Sequence, residues 1–174
     1  ETLGKNATSK IISLSCGPSR EFTELLKENK VTKPVVFKCL DFEKRALDYI
    51  KGEINKIPQE KKAFLEIEYI CRDITSIIRD KKLKEEFKNS DLIYAFGIFD
   101  YLSERMASRL INELFGLLKI NGTLVICNVS LEGNSHRAYY ELLGDWNLVY
   151  RTKEDMLKWT ADLPNSEVTF EFPN

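Results

Sequence analysis

Small and acidic residues in the first half of the chain have the types and order of a nucleoside-binding site. Gly17 lies in the run Ser-Cys-Gly-Pro-Ser at residues 15–19, where a glycine lets the backbone approach a ligand closely. Asp41 follows the second apolar run, 24 residues after Gly17, which is close to the spacing at which a carboxylate binds both hydroxyls of a ribose. Asp73 follows the third run. Each acid alone is more typical of a helix N-cap, but together with the glycine turn they favour a nucleoside site.

A second group of polar residues could bind a substrate or transfer a proton to or from it. Asp100 and Tyr101 follow the fourth apolar run, and His136, the only histidine, precedes Arg137. A histidine or a carboxylate can act as general base towards a hydroxyl or amine, and a guanidinium binds carboxylates. The alternative is structural: Asp100 would bond loop backbone, Tyr101 would pack beneath the next helix, and His136 would be an idle surface residue.

These residues must be positioned by alternating apolar runs and amphipathic segments. Apolar runs predict strands at residues 10–15, 34–40, 63–71, 91–99 and 123–130. Helical spacing predicts helices at 20–29, 42–57, 75–89, 135–146 and 153–163, and a further one from the N-cap Ser103 to a stop at Gly122. Residues 147–151 suit a short strand or an extended lead into the next helix, and residues 167–172 alternate like a strand.

The alternation of strand and helix predicts one α/β domain over residues 1–174, with a parallel sheet covered by helices on both faces. Glu66 and Glu68 alternate with apolar residues in the third run, which is typical of an edge strand. Ligands bind such sheets beyond the carboxyl ends of the strands. Most of the candidate residues directly follow strands, so we expect them at one edge of the sheet.

Composition and charge disfavour several other classes of function. The 174 residues carry a formal net charge of −1, so there is no basic field for a nucleic acid. No apolar stretch is long enough to cross a bilayer and no secretory signal is present, so we expect a cytoplasmic protein without a membrane span. The four cysteines lack C-x-x-C spacing, so we expect no metal site and four buried thiols.

The first residues of the sequence are not those of a typical N-terminus. It opens on Glu1 rather than Met, and its apolar pattern begins almost at once. We therefore expect a fragment of a longer polypeptide, whose other domains are candidate partners. The pattern leaves the oligomeric state open.

Three stretches give the chain a resemblance to a known family: SLSCGPSREF, GIFDYLSERMASRLINELFGLLKINGTLVICNVS and SHRAYYELLGDWNLVYRTKEDM. They resemble class I S-adenosylmethionine-dependent methyltransferases, and within that superfamily they are most similar to the proteins of 3-hydroxypalmitic acid methyl ester biosynthesis. The resemblance extends from Ile11 to about Phe172. It implies a three-layer Rossmann-like sandwich with a mostly parallel sheet in the order 3-2-1-4-5, followed by a C-terminal strand or strands. A final antiparallel strand closes the sheet in this superfamily, and we expect that strand to be missing from this chain. It also implies S-adenosyl-L-methionine as methyl donor and a small molecule or lipid as acceptor.

The resemblance assigns the cofactor-binding residues. Asp41 matches the acid that binds the ribose, and Phe42 would flank the adenine. Asp73 matches the acid that bonds the adenine amino group, with Ile74 packing on the ring. The loop against which the methionine part would lie corresponds to Ser15, Cys16, Gly17, Pro18 and Ser19. The wall after the fourth strand corresponds to Ala95, Phe96 and Gly97.

The loop also departs from the family pattern. Ser13 replaces the acid usual in the first strand, and Ser15 and Ser19 replace glycines, which leaves Gly17 alone. A dinucleotide pyrophosphate needs the full G-x-G-x-x-G, so these departures disfavour an NAD oxidoreductase more than a user of S-adenosylmethionine, which carries no phosphate. Two hypotheses remain ahead of it: an O-methyltransferase for a small or fatty-acid carboxylate, and a non-catalytic adenosyl-cofactor-binding or regulatory module.

Overall fold

The computed structural model describes residues 8–132 and 137–171, which contain five strands and seven helices. The strands are β1 (Ser9–Leu14), β2 (Val35–Asp41), β3 (Leu65–Cys71), β4 (Ser90–Ala95) and β5 (Leu118–Ile126). The helices are α1 (Arg20–Lys27), α2 (Lys44–Lys56), α3 (Ser76–Arg79), α4 (Lys81–Phe87), α5 (Glu104–Phe115), α6 (Arg137–Leu142) and α7 (Lys153–Lys158). Single turns of 3-10 helix occur at Gln59–Lys62 and Phe99–Tyr101.

The strands form one parallel sheet in the order β3-β2-β1-β4-β5, which confirms the predicted order and the Rossmann-like architecture. β1 is central, and its residue Ser13 pairs with Cys39 of β2 and with Tyr94 of β4. The order reverses between β1 and β4, so the segments that follow these two strands diverge at the carboxyl edge of the sheet. Such a switch point is where open α/β sheets bind their ligands.

β3 lies at the edge of the sheet, as its alternating sequence predicted. Glu68 on this strand forms an ion pair with Lys38 of the neighbouring β2. The charged side chains leave one side of the edge strand in contact with water, which discourages further strand pairing.

Apolar side chains form a core on each side of the sheet. Adjacent residues of β2 point to opposite sides, so that Cys39 belongs to one core and Leu40 to the other. On the first side α1 and α2 contribute Phe22, Leu26, Leu47, Ile50 and Ile54. On the other side α3, α4 and α5 contribute Ile77, Leu83, Phe87, Ala107, Leu110, Ile111 and Leu114. These two cores make the three-layer sandwich.

Two helical segments show how polar residues set helix ends. Ser103 caps α5 as predicted, because its hydroxyl accepts the Met106 N–H at 3.4 Å. The single helix predicted for residues 75–89 is instead divided into α3 and α4 at Asp80. The Asp80 carboxylate accepts the N–H groups of Lys82 and Leu83 at 2.9 and 3.2 Å, so this residue begins a new helix.

The predicted helix stop at Gly122 is wrong. Helix α5 ends at Phe115 with Gly116 as its C-cap, and Gly122 lies inside β5. The pairing of β4 with β5 is irregular here, since Ser90 pairs with Leu118 whereas Leu92 pairs with Thr123. A Cβ on Gly122 would approach the Ser90 carbonyl oxygen to 2.8 Å, so this glycine permits close contact between two strands.

The last part of the chain contains less regular structure than its sequence predicted. Residues 147–151 are extended and form a single bridge, between Ser130 and Arg151, before α7. The strand predicted for residues 167–172 is not formed over the described residues 167–171. Within the two described ranges, every helix is too short or too polar to cross a lipid bilayer.

Candidate functional site

The loop after β1 has the backbone of a glycine-rich turn although it contains one glycine. Ser15, Gly17 and Ser19 have φ angles of 47, 49 and 42°, all in the left-handed region that glycine adopts most easily. Nothing lies within 4 Å of where a Gly17 Cβ would be, so the space beside this residue is open. Pro18 is exposed, and Cys16 donates its N–H to the Leu40 carbonyl at 3.2 Å.

Asp41 joins this loop to the end of β2. Its Oδ2 accepts the Gly17 N–H at 2.8 Å, and its Oδ1 accepts the Glu43 N–H at 2.8 Å. The side chain is buried, with 6% of its surface exposed. A carboxylate oxygen can accept more than one hydrogen bond, which leaves lone pairs for hydroxyl donors of a ligand.

A cleft of about 500 Å³ lies at the carboxyl ends of β2 and β3, and its lining begins at Phe42 and does not include Asp41. Phe42 is 72% exposed and presents a ring to it, and Asp73 lines it two residues beyond the Asp41–Cys71 pair. The complete lining is Phe42, Cys71, Arg72, Asp73, Ser76 and Asp80. An exposed aromatic face beside a carboxylate is a suitable surface for a purine base.

Asp73 is a capping residue with one oxygen to spare. Its Oδ1 accepts the N–H and the hydroxyl of Thr75, and these hydrogen bonds hold the pKa of the carboxyl below its usual value. Its Oδ2 has no hydrogen-bond partner among the described residues, so it can accept a bond from a ligand amino group. Ile74, expected on an adenine ring, instead packs into the core and is 8% exposed.

The wall after β4 is divided between two environments. Ala95 is buried, and its carbonyl accepts the Cys127 N–H at 3.2 Å, whereas Gly97 has a φ of 80° with open space around it. Phe96 is half-exposed and packs on Tyr94, with ring centroids 5.0 Å apart. It lines an apolar groove of about 530 Å³ on the α1 side of the sheet and does not face the cleft at Phe42.

Asp100 and Tyr101 are both hydrogen-bonded to the chain around them. Asp100 is buried, its Oδ1 accepts the Val129 N–H at 2.6 Å, and its carbonyl accepts the Val149 N–H at 2.7 Å. Burial raises the pKa of this carboxyl, against the opposing effects of the Val129 hydrogen bond and the Arg151 charge. The Tyr101 hydroxyl accepts the indole N–H of Trp146 at 2.5 Å, while its ring is half-exposed.

Of the other two polar candidates, Arg137 and His136, only Arg137 is among the described residues. The Arg137 Nε donates to Glu141 at 2.8 Å, and its guanidinium lies 4.7 Å from the ring centroid of Tyr150. This group is therefore partly neutralised, although its side chain is half-exposed. His136 lies outside the described residues.

Arg151 is a buried residue to which the sequence assigned no role. Its guanidinium donates to the Phe99 and Leu102 carbonyls at 2.7 and 2.5 Å, and to the side chains of Asn128 and Glu104 at 2.6 and 2.7 Å. These bonds connect the segments that follow β4 and β5, and so hold in place the 3-10 turn Phe99–Tyr101, which contains Asp100. A lone arginine in an extended segment gives no sequence signal of such a role.

The cysteines differ from the expected four buried thiols. Cys39 is buried and Cys16 partly buried, but Cys71 and Cys127 are exposed at the carboxyl ends of β3 and β5. Across residues 8–132 and 137–171, no group of three His, Cys, Asp or Glu side chains has a metal-binding arrangement.

Comparison with known proteins gives matches among solved structures. No protein-family model and no curated protein matches the sequence. The methyltransferase domain of bacterial CtHen1 is 18% identical, with a TM-score of 0.58 over 87% of this chain and 72% of its own. Geranyl diphosphate C-methyltransferase from Streptomyces coelicolor A3(2), crystallised with Mg²⁺, geranyl-S-thiolodiphosphate and S-adenosyl-L-homocysteine, is 12% identical, with a TM-score of 0.59 over 92% of this chain and 53% of its own. The S-adenosylmethionine-dependent methyltransferase SibL, in its apo form, is 11% identical, with a TM-score of 0.64 over 95% of this chain and 47% of its own.

These likenesses concern the fold. The chain spans about half the length of two of the three neighbours and 72% of the third. Its parallel sheet in the order β3-β2-β1-β4-β5, with helices on both faces, is the Rossmann-like fold of class I methyltransferases.

Proposed function

We propose that this chain is an S-adenosyl-L-methionine-dependent methyltransferase that methylates an oxygen of a small or fatty-acid carboxylate. The observation that carries the proposal is the cleft at the carboxyl ends of β2 and β3, which Phe42 and Asp73 line. Phe42 directly follows Asp41, whose carboxylate accepts the Gly17 N–H. The structural neighbours include methyltransferases, one of them crystallised with S-adenosyl-L-homocysteine. The resemblance in sequence supports the same donor and a lipid acceptor.

The residues present fit an adenosyl group. Phe42 would stack on the adenine, the free Oδ2 of Asp73 would accept its amino group, and the remaining lone pairs of Asp41 would accept the ribose hydroxyls. The open backbone at Gly17 would lie against the methionine part. When bound, S-adenosylmethionine supplies an electrophilic methyl group, so the protein's task is alignment and exclusion of water.

A carboxylate acceptor can be methylated without proton transfer by a side chain of the protein. It is ionised near neutral pH, so it needs no general base. Arg137 would give up its ion pair with Glu141 to bind the acceptor carboxylate and orient it. Asp100 and Tyr101 would line the side of the site where the acceptor binds. For a hydroxyl acceptor, in contrast, His136 would act as the general base. We place this activity in the cytoplasm.

Substitution of Phe42 tests the adenosyl site. We expect Phe42→Ala to weaken binding of S-adenosylhomocysteine by about 1–3 kcal/mol, because stacking of a base on an aromatic ring contributes that much. Phe42 is exposed, so the loss of its ring does not open a cavity in the core. Isothermal titration calorimetry on the parent chain and the variant measures the difference.

Tyr49→Ala is the matched control, because Tyr49 is an aromatic residue of α2 that is 49% exposed and does not line the cleft. Its affinity should equal that of the parent chain. Equal affinities for all three proteins would remove Phe42 from the site. Tighter binding of NADH than of S-adenosylhomocysteine would reject the proposal in favour of an oxidoreductase.

A non-catalytic adenosyl-binding module is the second candidate, and the engaged acceptor-side residues favour it. Asp100 is occupied by the Val129 N–H and Arg137 by Glu141. A methyl-transfer assay with labelled S-adenosylmethionine and a panel of fatty acids separates the candidates. Methyl esters formed by the parent chain establish the enzyme, whereas binding of the donor without transfer to any acceptor favours the module, with other domains of a longer chain as its partners.

A further inference from the structure

A carboxylate beside the loop after β1 is held by two hydroxyl groups and has one free oxygen. Glu21 lies in the first turn of α1 and is exposed. Its Oε1 accepts the hydroxyl of Tyr94 at 2.8 Å and that of Ser19 at 3.0 Å. Burial raises the pKa of the Tyr94 hydroxyl, so this group keeps its proton and remains a donor. The Glu21 Oε2 has no hydrogen-bond partner among the described residues, so it can accept a donor from a ligand.

These hydrogen bonds place Glu21 where β1 and β4 diverge. Tyr94 is the last residue but one of β4 and pairs in register with Ser13 of β1. Ser19 directly precedes α1, at the end of the loop after β1. Because Glu21 is bonded to both Tyr94 and Ser19, its carboxylate is fixed at the switch point of the sheet, where ligands of such folds bind.

The surrounding polar groups leave this place to Glu21. Ser13 points to the same side of the sheet as its register partner Tyr94 and is 1% exposed, and its Oγ has no partner within the described ranges. A buried hydroxyl normally has a partner, so Ser13 indicates that a group from outside the chain completes this polar cluster. Asp41 accepts two backbone N–H groups at the end of β2, and Asp100 accepts the Val129 N–H beyond β5.

The strand order assigns the parts of the proposed donor to successive places along the carboxyl edge. Phe42 and Asp73 line the cleft proposed for the adenine, at the ends of β2 and β3. Asp41 ends β2 and is proposed for the ribose, and Gly17 follows β1. The next strand is β4. Neighbouring strands are about 4.8 Å apart, so the amino-acid end of an adenosyl ligand that begins at β3 falls between β1 and β4.

The amino-acid end of S-adenosylmethionine carries an α-ammonium group, which a carboxylate binds through a charge-assisted hydrogen bond. We propose that Glu21 binds this ammonium group through its Oε2 and makes the site selective for adenosyl compounds that keep an amino acid. The assignment rests on the proposed function and adds a binding residue to it. Tyr94 and Ser19 hold the carboxylate in the orientation that binding requires.

A purely structural role for Glu21 predicts a different result. An acid in the first turn of a helix is favoured by the helix dipole, and the bonds to Tyr94 and Ser19 join α1 to β4. Both effects concern the protein without ligand. A role in binding requires in addition that the effect of substitution depend on the amino group of the ligand, which can be removed separately.

Isothermal titration calorimetry with two ligands on the parent chain and on Glu21→Gln tests the proposal. One ligand is S-adenosylhomocysteine, and the other is the analogue whose homocysteine part keeps its carboxylate and lacks the α-amino group. The amide oxygen of glutamine still accepts the two hydroxyls, so the variant should unfold at the temperature of the parent chain. We expect the affinity for S-adenosylhomocysteine to fall by about tenfold in the variant, and the affinity for the analogue to be equal in both proteins.

Glu24→Gln is the matched control, because Glu24 is an exposed acid of the same helix that lines neither the cleft nor the apolar groove. It should leave both affinities unchanged. Equal affinities of the parent chain and Glu21→Gln for S-adenosylhomocysteine overturn the assignment while the proposed function stands. A loss of equal size for both ligands also overturns it, in favour of the structural role. If the parent chain binds neither ligand, the proposed function fails and the assignment fails with it.

Discussion

At the scale of single residues, the turn after β1 places serine where the backbone favours glycine. Ser15 and Ser19 both have left-handed φ angles, which cost most residues about 1–2 kcal/mol each. Ser19 recovers part of this through the hydrogen bond from its hydroxyl to Glu21 at 3.0 Å. Ser15 makes no such side-chain bond among the described residues, so its strain is uncompensated locally.

Replacement of Ser15 should therefore stabilise the protein. We expect Ser15→Gly to raise the free energy of unfolding by about 0.5–1 kcal/mol, after subtraction of the greater entropy that glycine loses on folding. Urea denaturation followed by circular dichroism measures the change. Ser108→Gly in α5 is the control and should lower stability by about 0.5 kcal/mol. A lower stability for Ser15→Gly would show that the left-handed turn carries no strain.

The same scale shows how far the sequence could define the site. It placed Gly17, Asp41 and Asp73 at one edge of the sheet because each lies at the end of a strand or within three residues of it. It could not show that Asp41 turns towards the Gly17 N–H, because that contact joins residues 24 positions apart through the tertiary fold. For the same reason the cleft residues Ser76 and Asp80 had no signal beyond their capping chemistry.

At the scale of elements, the strands were predictable and the boundary between α5 and β5 was not. Apolar runs are local, so each of the five predicted strands has a counterpart in the structure, although the bounds of β4 and β5 differ from those predicted. The strand order, which the family resemblance implied, also agrees. Leu117 continues the helical spacing of α5, and the Asn-Gly pair at 121–122 is a turn signal that suits a helix end as well as an irregular strand. Only contact with β4 decides between the two, and Gly122 packs on the Ser90 carbonyl.

Alanine substitution of two glycines distinguishes the observed boundary from the predicted one. Gly122→Ala should lower the free energy of unfolding by about 1–3 kcal/mol, since its Cβ would be 2.8 Å from the Ser90 oxygen and would push the strands apart. Gly116→Ala should be neutral or stabilising by up to about 1 kcal/mol, because Gly116 has φ −65° and ψ −11° and its Cβ would meet only atoms at 3.5 Å or more. Thermal unfolding of both variants gives the comparison, and the opposite ranking would support a helix that runs to Gly122.

At the scale of the whole molecule, one buried arginine connects elements that are distant in sequence. Arg151 is 2% exposed and binds the carbonyls of Phe99 and Leu102, 52 and 49 residues earlier in the chain. Its guanidinium also lies 4.7 Å from the ring centroid of Trp159, which follows α7. The segment after β5 thus takes part in the fold without a strand of its own, and the 3-10 turn that contains Asp100 is held by it.

Removal of this guanidinium should affect the whole fold. We expect Arg151→Met, which keeps most of the side-chain volume, to lower the free energy of unfolding by about 3–5 kcal/mol, because the two carbonyls are left buried without donors. Arg109→Met on the exposed side of α5 should change it by less than about 0.5 kcal/mol. Urea unfolding of both variants measures the difference. Arg151→Lys should fall between them, since a lysine keeps the charge but cannot reach both carbonyls at once, and equal stability of the two methionine variants would mean that water replaces the arginine at no cost.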